Sequence, residues 1–143
     1  MVDFTNPRYC VSNNLHRTTR AISRIYAEEM KASGIKRSQF AILAHLEQLG
    51  VVQLTELADI MIMDRTTLSR NLKPLQNSGF VHINVSPTDA RARELSLSKE
   101  GKAKFREAYK LWKKAQRRVL ALFGEDNWLS LEANLVELRH SVT

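Results

Sequence analysis

The stretch from Asp64 to Gly79, DRTTLSRNLKPLQNSG, constrains this chain more than any other. Leu68, Leu72 and Leu75 recur at i, i+4 and i+7, the spacing that gathers three side chains on one face of a helix and obliges that face to pack against a core. The outer face is polar. Thr66, Ser69, Arg70, Lys73 and Asn77 share it, with Thr67 beside them; hydroxyls, an amide and cations are the groups that reach base edges and phosphates in a DNA groove. Asp64 is suited to cap the helix and Gly79 to end it. Any solvated amphipathic helix shares this pattern, so its neighbours must decide its meaning.

The chain has 143 residues, one domain's worth, enough to bury a core without disulfides or metal. Its 22 Lys and Arg against 15 Asp and Glu leave a net charge of +7, which favours polyanionic partners. No apolar run approaches the roughly 20 residues that span a bilayer, and the opening MVDFTNPRYC lacks the order of a signal peptide, so the expectation is a cytoplasmic protein without a membrane partner. The single Cys10 excludes an internal disulfide framework.

Around the Asp64 helix the periodicity predicts a mainly α chain. Asn6 and Pro7 begin a long first helix, carrying Leu15, Ile22, Ile25, Tyr26 and Met30, that ends by Gly34. A second runs from about Ser38, carrying Phe40, Leu43, Leu46 and Leu49, and stops at Gly50. Val51 and Val52 suit a very short strand. A brief helix from Thr55 to Met61 turns Leu57, Ala58 and Met61 inward, and only two or three residues part it from the Asp64 helix: a helix-turn-helix. The period then falls to two through Phe80, Val81, Ile83 and Val85, and again at Leu95 and Leu97, with the polar Ser86-Pro87-Thr88-Asp89 between, as in a β-hairpin. Ser98 can cap a long helix bearing Phe105, Tyr109, Trp112, Val119 and Leu122 as far as Gly124. A last helix carries Trp128, Leu131, Leu135 and Leu138. All five glycines fall at or near predicted element ends, which leaves none for a phosphate loop.

This order of elements resembles the MarR family of winged-helix transcriptional regulators over nearly the whole chain. Leu57-Ala58, the run from Asp64 to Leu72, Gly79-Phe80-Val81, and Asp89-Ala90-Arg91 followed by Leu97-Ser98 and Gly101 carry the likeness. It implies one domain over 1–143: a winged-helix DNA-binding lobe at about 36–98, with long N- and C-terminal dimerisation helices at about 6–34 and 99–143. It also implies a homodimer on double-stranded operator DNA, released when a small, commonly aromatic, ligand enters a crevice near the dimer interface. The pseudo-palindrome would present half-sites about one turn, roughly 34 Å, apart. The expected DNA-facing residues are Thr66, Thr67, Ser69, Arg70, Lys73 and Asn77 on the recognition helix and Asp89, Arg91 and Arg93 on the wing. Arg70 is the candidate for a guanine contact. Arg91 would enter the minor groove while Asp89 pairs with a nearby Arg. Three positions depart from the family's habit: Ile62 replaces a common Gly and predicts ordinary backbone angles, Gln53 replaces a Ser or Thr cap, and Pro74 predicts a kink in the recognition helix.

The same chemistry admits other readings. Tyr26, Phe40, His45, Tyr109 and Trp112 would line a ligand crevice, or serve as plain core. Cys10 stands near the start of the first helix, where the family's organic-hydroperoxide sensors place a reactive thiol. Asn14 and Arg24 occupy spacings where those sensors would have tyrosines, which favours a buried, unreactive thiol at the dimer interface over a peroxide-sensing one. A winged helix serving as a protein-interaction module is the rival of another class. No H-E-x-x-H, G-x-S-x-G, Walker loop or Cys-x-x-Cys is present, and the scattered His16, His45, His82 and His140 suggest no metal site. Neither enzymatic activity nor a cofactor is expected.

Overall fold

A computed structural model describes residues 1–143. Six α-helices and three strands run in the order α1 (Val11–Met30), α2 (Arg37–Leu49), β1 (Val52–Gln53), α3 (Leu54–Ile60), α4 (Arg65–Asn77), β2 (Val81–Val85), β3 (Arg93–Leu97), α5 (Lys99–Phe123) and α6 (Glu125–Val142). The chain divides into a central unit, Met30–Leu111, and a terminal unit made of Met1–Glu29 with Trp112–Thr143. No helix is long and apolar enough to cross a membrane.

The central unit holds the core. Ile42, Leu43 and Leu46 of α2, Leu57 of α3, and Leu68, Leu72 and Leu75 of α4 are fully buried, each contributing about 1.5–3 kcal/mol by leaving water. An antiparallel sheet in the order β1-β3-β2 closes one side. Leu95 sits opposite both Val52 and Ile83, so the central strand carries its buried leucine between the two edges. Pro74 lies inside α4, which nevertheless continues through Asn77 with Leu75 buried, so the proline does not break the helix. The first half of α5 joins this unit: the Phe105 ring stacks at 5.6 Å on both Phe40 and Tyr109, and Lys104 Nζ donates to the Ser33 carbonyl at 3.1 Å.

One junction explains a sequence motif. The buried Ser98 hydroxyl donates to the Gly79 carbonyl and accepts the Gly101 amide at 2.9 Å, while the Ser98 amide donates to Phe80 O at 3.0 Å. A Cβ on Gly101 would lie 2.0 Å from that Phe80 oxygen. Ser98-x-x-Gly101 thus locks the base of the hairpin to the start of α5 through contacts that leave no room for a side chain at 101.

The turn between α3 and α4 corrects an expectation. Ile62 has φ 49°, not the ordinary angles that its branched side chain predicts. Met63 N–H donates to Ala58 O at 2.9 Å and Ile62 N–H to Asp59 O at 3.1 Å, the pair of bonds that closes a helix only when the intervening residue is left-handed. For a residue with a Cβ this conformation costs about 1–2 kcal/mol. α4 closes in the same way, with Gly79 at φ 75° in the equivalent place. Two backbone hydrogen bonds at about 0.5–1.5 kcal/mol each are of the size that offsets this strain.

Smaller differences lie at helix starts. Asn6 does cap a turn, accepting the Arg8 amide at 3.1 Å, but that turn is a separate 3-10 segment, Pro7–Tyr9, and α1 begins at Val11. α3 begins at Leu54 with Gln53 in the cap position, and no side-chain bond caps it. Met61 is half-buried.

Candidate nucleic-acid interface

The outer face of α4 is held out by its own start. Asp64 caps the helix: Oδ1 accepts the Thr67 amide at 2.8 Å and Oδ2 the Thr67 hydroxyl at 2.6 Å. These two bonds, the hydroxyl first, hold the Asp64 carboxyl below its ordinary pKa. Stability from the cap is therefore present above the ordinary carboxylate range and lost as the pH falls through the depressed value. Thr67 is consequently a capping partner, half-buried and engaged, whereas Thr66, Ser69, Arg70, Lys73 and Asn77 are exposed together. The helix is also pinned from behind, where Asn71 donates to the Thr67 carbonyl at 2.9 Å and accepts the Ser38 hydroxyl of α2 at 3.1 Å. A polar side chain at 71 reads from sequence as one more solvated residue; its bond to α2 is visible only in three dimensions.

Arg65 is a residue that sequence reasoning misses. It is exposed at the first position of α4, and its i+4 relation to Ser69, and theirs to Lys73, is the available signal. The ion pairs of the chain join Lys104 to Glu107 and Arg118 to Glu28 and Glu29, so Arg65, Arg70 and Lys73 stand without carboxylate partners. Three uncompensated cations on one exposed helix are an anion-binding surface.

The wing tip is ordered by short-range bonds. The Ser86 amide donates to Ala92 O and the Ala92 amide to Asp89 O, both at 3.0 Å. Asp89 Oδ1 accepts the backbone amide of Arg91 at 2.9 Å, in place of the expected ion pair with a guanidinium: two residues is the reach of an Asx turn. Arg93 turns back, its Nη1 donating to Ala90 O at 3.2 Å and Ala92 O at 3.3 Å. Arg91 is exposed, with its guanidinium outside any ion pair. Of the three wing candidates, Asp89 and Arg93 shape the loop and Arg91 is the one presented.

The aromatic candidates fall into two groups. In the central unit Phe40 and Tyr109 each stack on Phe105, and His45 Nδ1 lies 2.8 Å from the Ala41 carbonyl. Tyr26 and Trp112 belong to the terminal unit, where the Tyr26 hydroxyl donates to Gln116 Oε1. An apolar pocket of about 370 Å³ in that unit is lined by other residues, among them Ile22, Ile25, Val119, Phe123 and Trp128. Cys10 is exposed within the protomer and immediately precedes α1, with Sγ accepting the Asn13 amide at 3.4 Å. The Arg8 guanidinium lies 4.7 Å over the Tyr9 ring.

Comparison with known proteins gives this geometry a context. Residues 33–92 match the sequence model of the MarR family. The HTH-type transcriptional regulator YxaD of Bacillus subtilis, itself uncharacterized, is 26% identical over 97 residues, 68% of each chain. The HTH-type transcriptional repressor MdtR of the same bacterium is 26% identical over 102 residues, 71% of this chain and 66% of its own. Among solved structures, the M. tuberculosis transcriptional regulator MOSR in complex with DNA superposes with a TM-score of 0.83 at 28% identity, covering 93% of this chain and 96% of its own.

Proposed function

The chain belongs to the MarR family, and from that premise we propose that it is a sequence-specific DNA-binding transcriptional regulator, a repressor that grips a pseudo-palindromic operator as a homodimer. The observation that carries this reading is the exposed face of α4, where Arg65, Arg70 and Lys73 are cationic, unpaired and interleaved with Thr66 and Ser69. That mixture suits a groove: guanidinium and ammonium groups meet phosphates and guanine acceptors, and short hydroxyls fit close to base edges. In this reading α4 enters the major groove and Arg91 the adjacent minor groove. Asn77, at the far end of α4, meets the backbone.

Pairing of two chains is supported by the terminal unit. The 18 residues of α6 include none that is buried, and Leu122 and Leu129 are 74% and 64% exposed, an arrangement that water disfavours unless another protein surface covers it. Release by a small aromatic ligand is part of the proposal.

Filter binding across a salt series tests the reading against that of a protein-interaction module. Each phosphate neutralised releases counterions, so affinity for duplex DNA should fall steeply and log-linearly with salt, and a selected operator should outcompete random duplex. A flat salt response, or equal affinity for every duplex, would defeat it.

A further inference from the structure

Ile62 is an anomaly on two independent counts. Its backbone is left-handed, which a branched side chain resists, and its side chain is 63% exposed, so burial does not compensate. Ile60, two residues before, is 44% exposed, so the turn shows water two branched hydrocarbons. The chain is able to make this closure without strain, since Gly79 occupies the equivalent position after α4. Nothing near the turn therefore accounts for isoleucine through folding or solubility; the hydrocarbon must matter for something absent from the free chain.

The position of the turn names the partner. Ile62 lies two residues before Asp64, the cap of α4, and hence at the end of the recognition helix that helix-turn-helix proteins turn toward base edges. Among the base-edge groups of the major groove, the hydrocarbon one is the C5-methyl of thymine. We infer that Ile62 is a specificity-determining residue that packs on a thymine methyl within each half-site. This rests on the DNA-binding reading above and adds to it an apolar contact from the turn, outside the polar face of α4. The left-handed backbone has a role in it, because it fixes the direction of a stiff side chain before DNA arrives and so removes an ordering cost from binding.

The test uses the full-length protein and duplexes selected by the wild type from a randomised pool. Each thymine of the selected site is replaced in turn by deoxyuridine, which lacks only the methyl group. For the wild type, one replacement per half-site should weaken binding about 4-fold, the worth of one buried methyl-sized group. Ile62→Gly should bind the thymine and uracil versions of that position equally, keep the wild-type responses elsewhere, and melt no lower than the wild type. Should Ile62→Gly and the wild type respond alike at every thymine, the inference fails. It fails also if Ile62→Gly changes the molecular mass in light scattering and no base preference, because the turn then serves contact between chains. A pool from which the wild type enriches no sequence would overturn the DNA-binding reading itself, and this inference with it.

Discussion

At position 101 the α-carbon can carry nothing larger than hydrogen. A methyl group there meets the Phe80 carbonyl oxygen at 2.0 Å, a backbone atom rather than the end of a flexible side chain that could move aside. Gly101→Ala should therefore cost about 1–3 kcal/mol or more in urea unfolding, the range of overpacked sites, although alanine favours helix. Melting at the wild-type midpoint would show that the hairpin base shifts freely. The Arg70 guanidinium, by contrast, is bound to nothing in the fold, so Arg70→Ala should leave the unfolding midpoint unchanged. It should weaken operator binding by about 1–3 kcal/mol and binding to random duplex far less. Equal losses on both would make Arg70 a phosphate contact. Residues whose role is set by their own helical spacing are legible in sequence: Leu68, Leu72 and Leu75 go inward and Arg70 outward because periodicity decides both. Ile62 is not, since its φ is dictated by two hydrogen bonds to α3 that no local preference reveals. Asp89 is half legible. It fixes the loop as its type suggests, but its partner is a neighbouring amide that is nearer than any guanidinium.

Among the elements, the hairpin is the one whose function separates from its folding. Its tip is held by backbone bonds and by the Asp89 and Arg93 side chains, which leaves the Arg91 side chain dispensable to the loop. Arg91→Ala should accordingly preserve the circular dichroism melt, weaken DNA binding across sequences, and lower the salt slope by about one for each phosphate no longer neutralised. An unchanged slope would assign the wing to the fold alone. Helices and hairpin are readable in sequence nearly to their ends, because their apolar periods of 3.6 and 2 are long enough to distinguish. The pairing of β1 with β3 is less so: two residues, Val52 and Gln53, carry no period, and their partners, Leu95 and Glu94, lie far along the chain. The division inside α5 is hidden as well. Sequence groups the whole helix from 99 onward with the terminal helices, yet residues up to Leu111 belong to the central unit, since Phe105 stacks with Phe40 and Ala108 is buried. A continuous apolar stripe does not announce that its two halves have different partners.

For the whole molecule, the prediction concerns assembly. With α6 lacking any buried residue, the chain should be a dimer at micromolar concentration by light scattering, and Leu129→Glu should shift it toward monomer while the central unit keeps its helical signal. A stable wild-type monomer would defeat this. The sheet order carries a last consequence. Because β3 is bonded on one side to β1, which leads directly into α3, and on the other to β2, which follows α4, the helix-turn-helix is tied at both ends to the sheet that carries the hairpin, which restrains either from pivoting alone. With α4 and the wing in adjacent grooves, as proposed, the two contacts form a calliper of fixed opening, and the duplex would have to supply the matching winding. A promoter under torsional stress, its bases unchanged, would offer the proposed pair of contacts a different fit, so operator affinity should differ between relaxed and supercoiled forms of one plasmid in a competition binding assay.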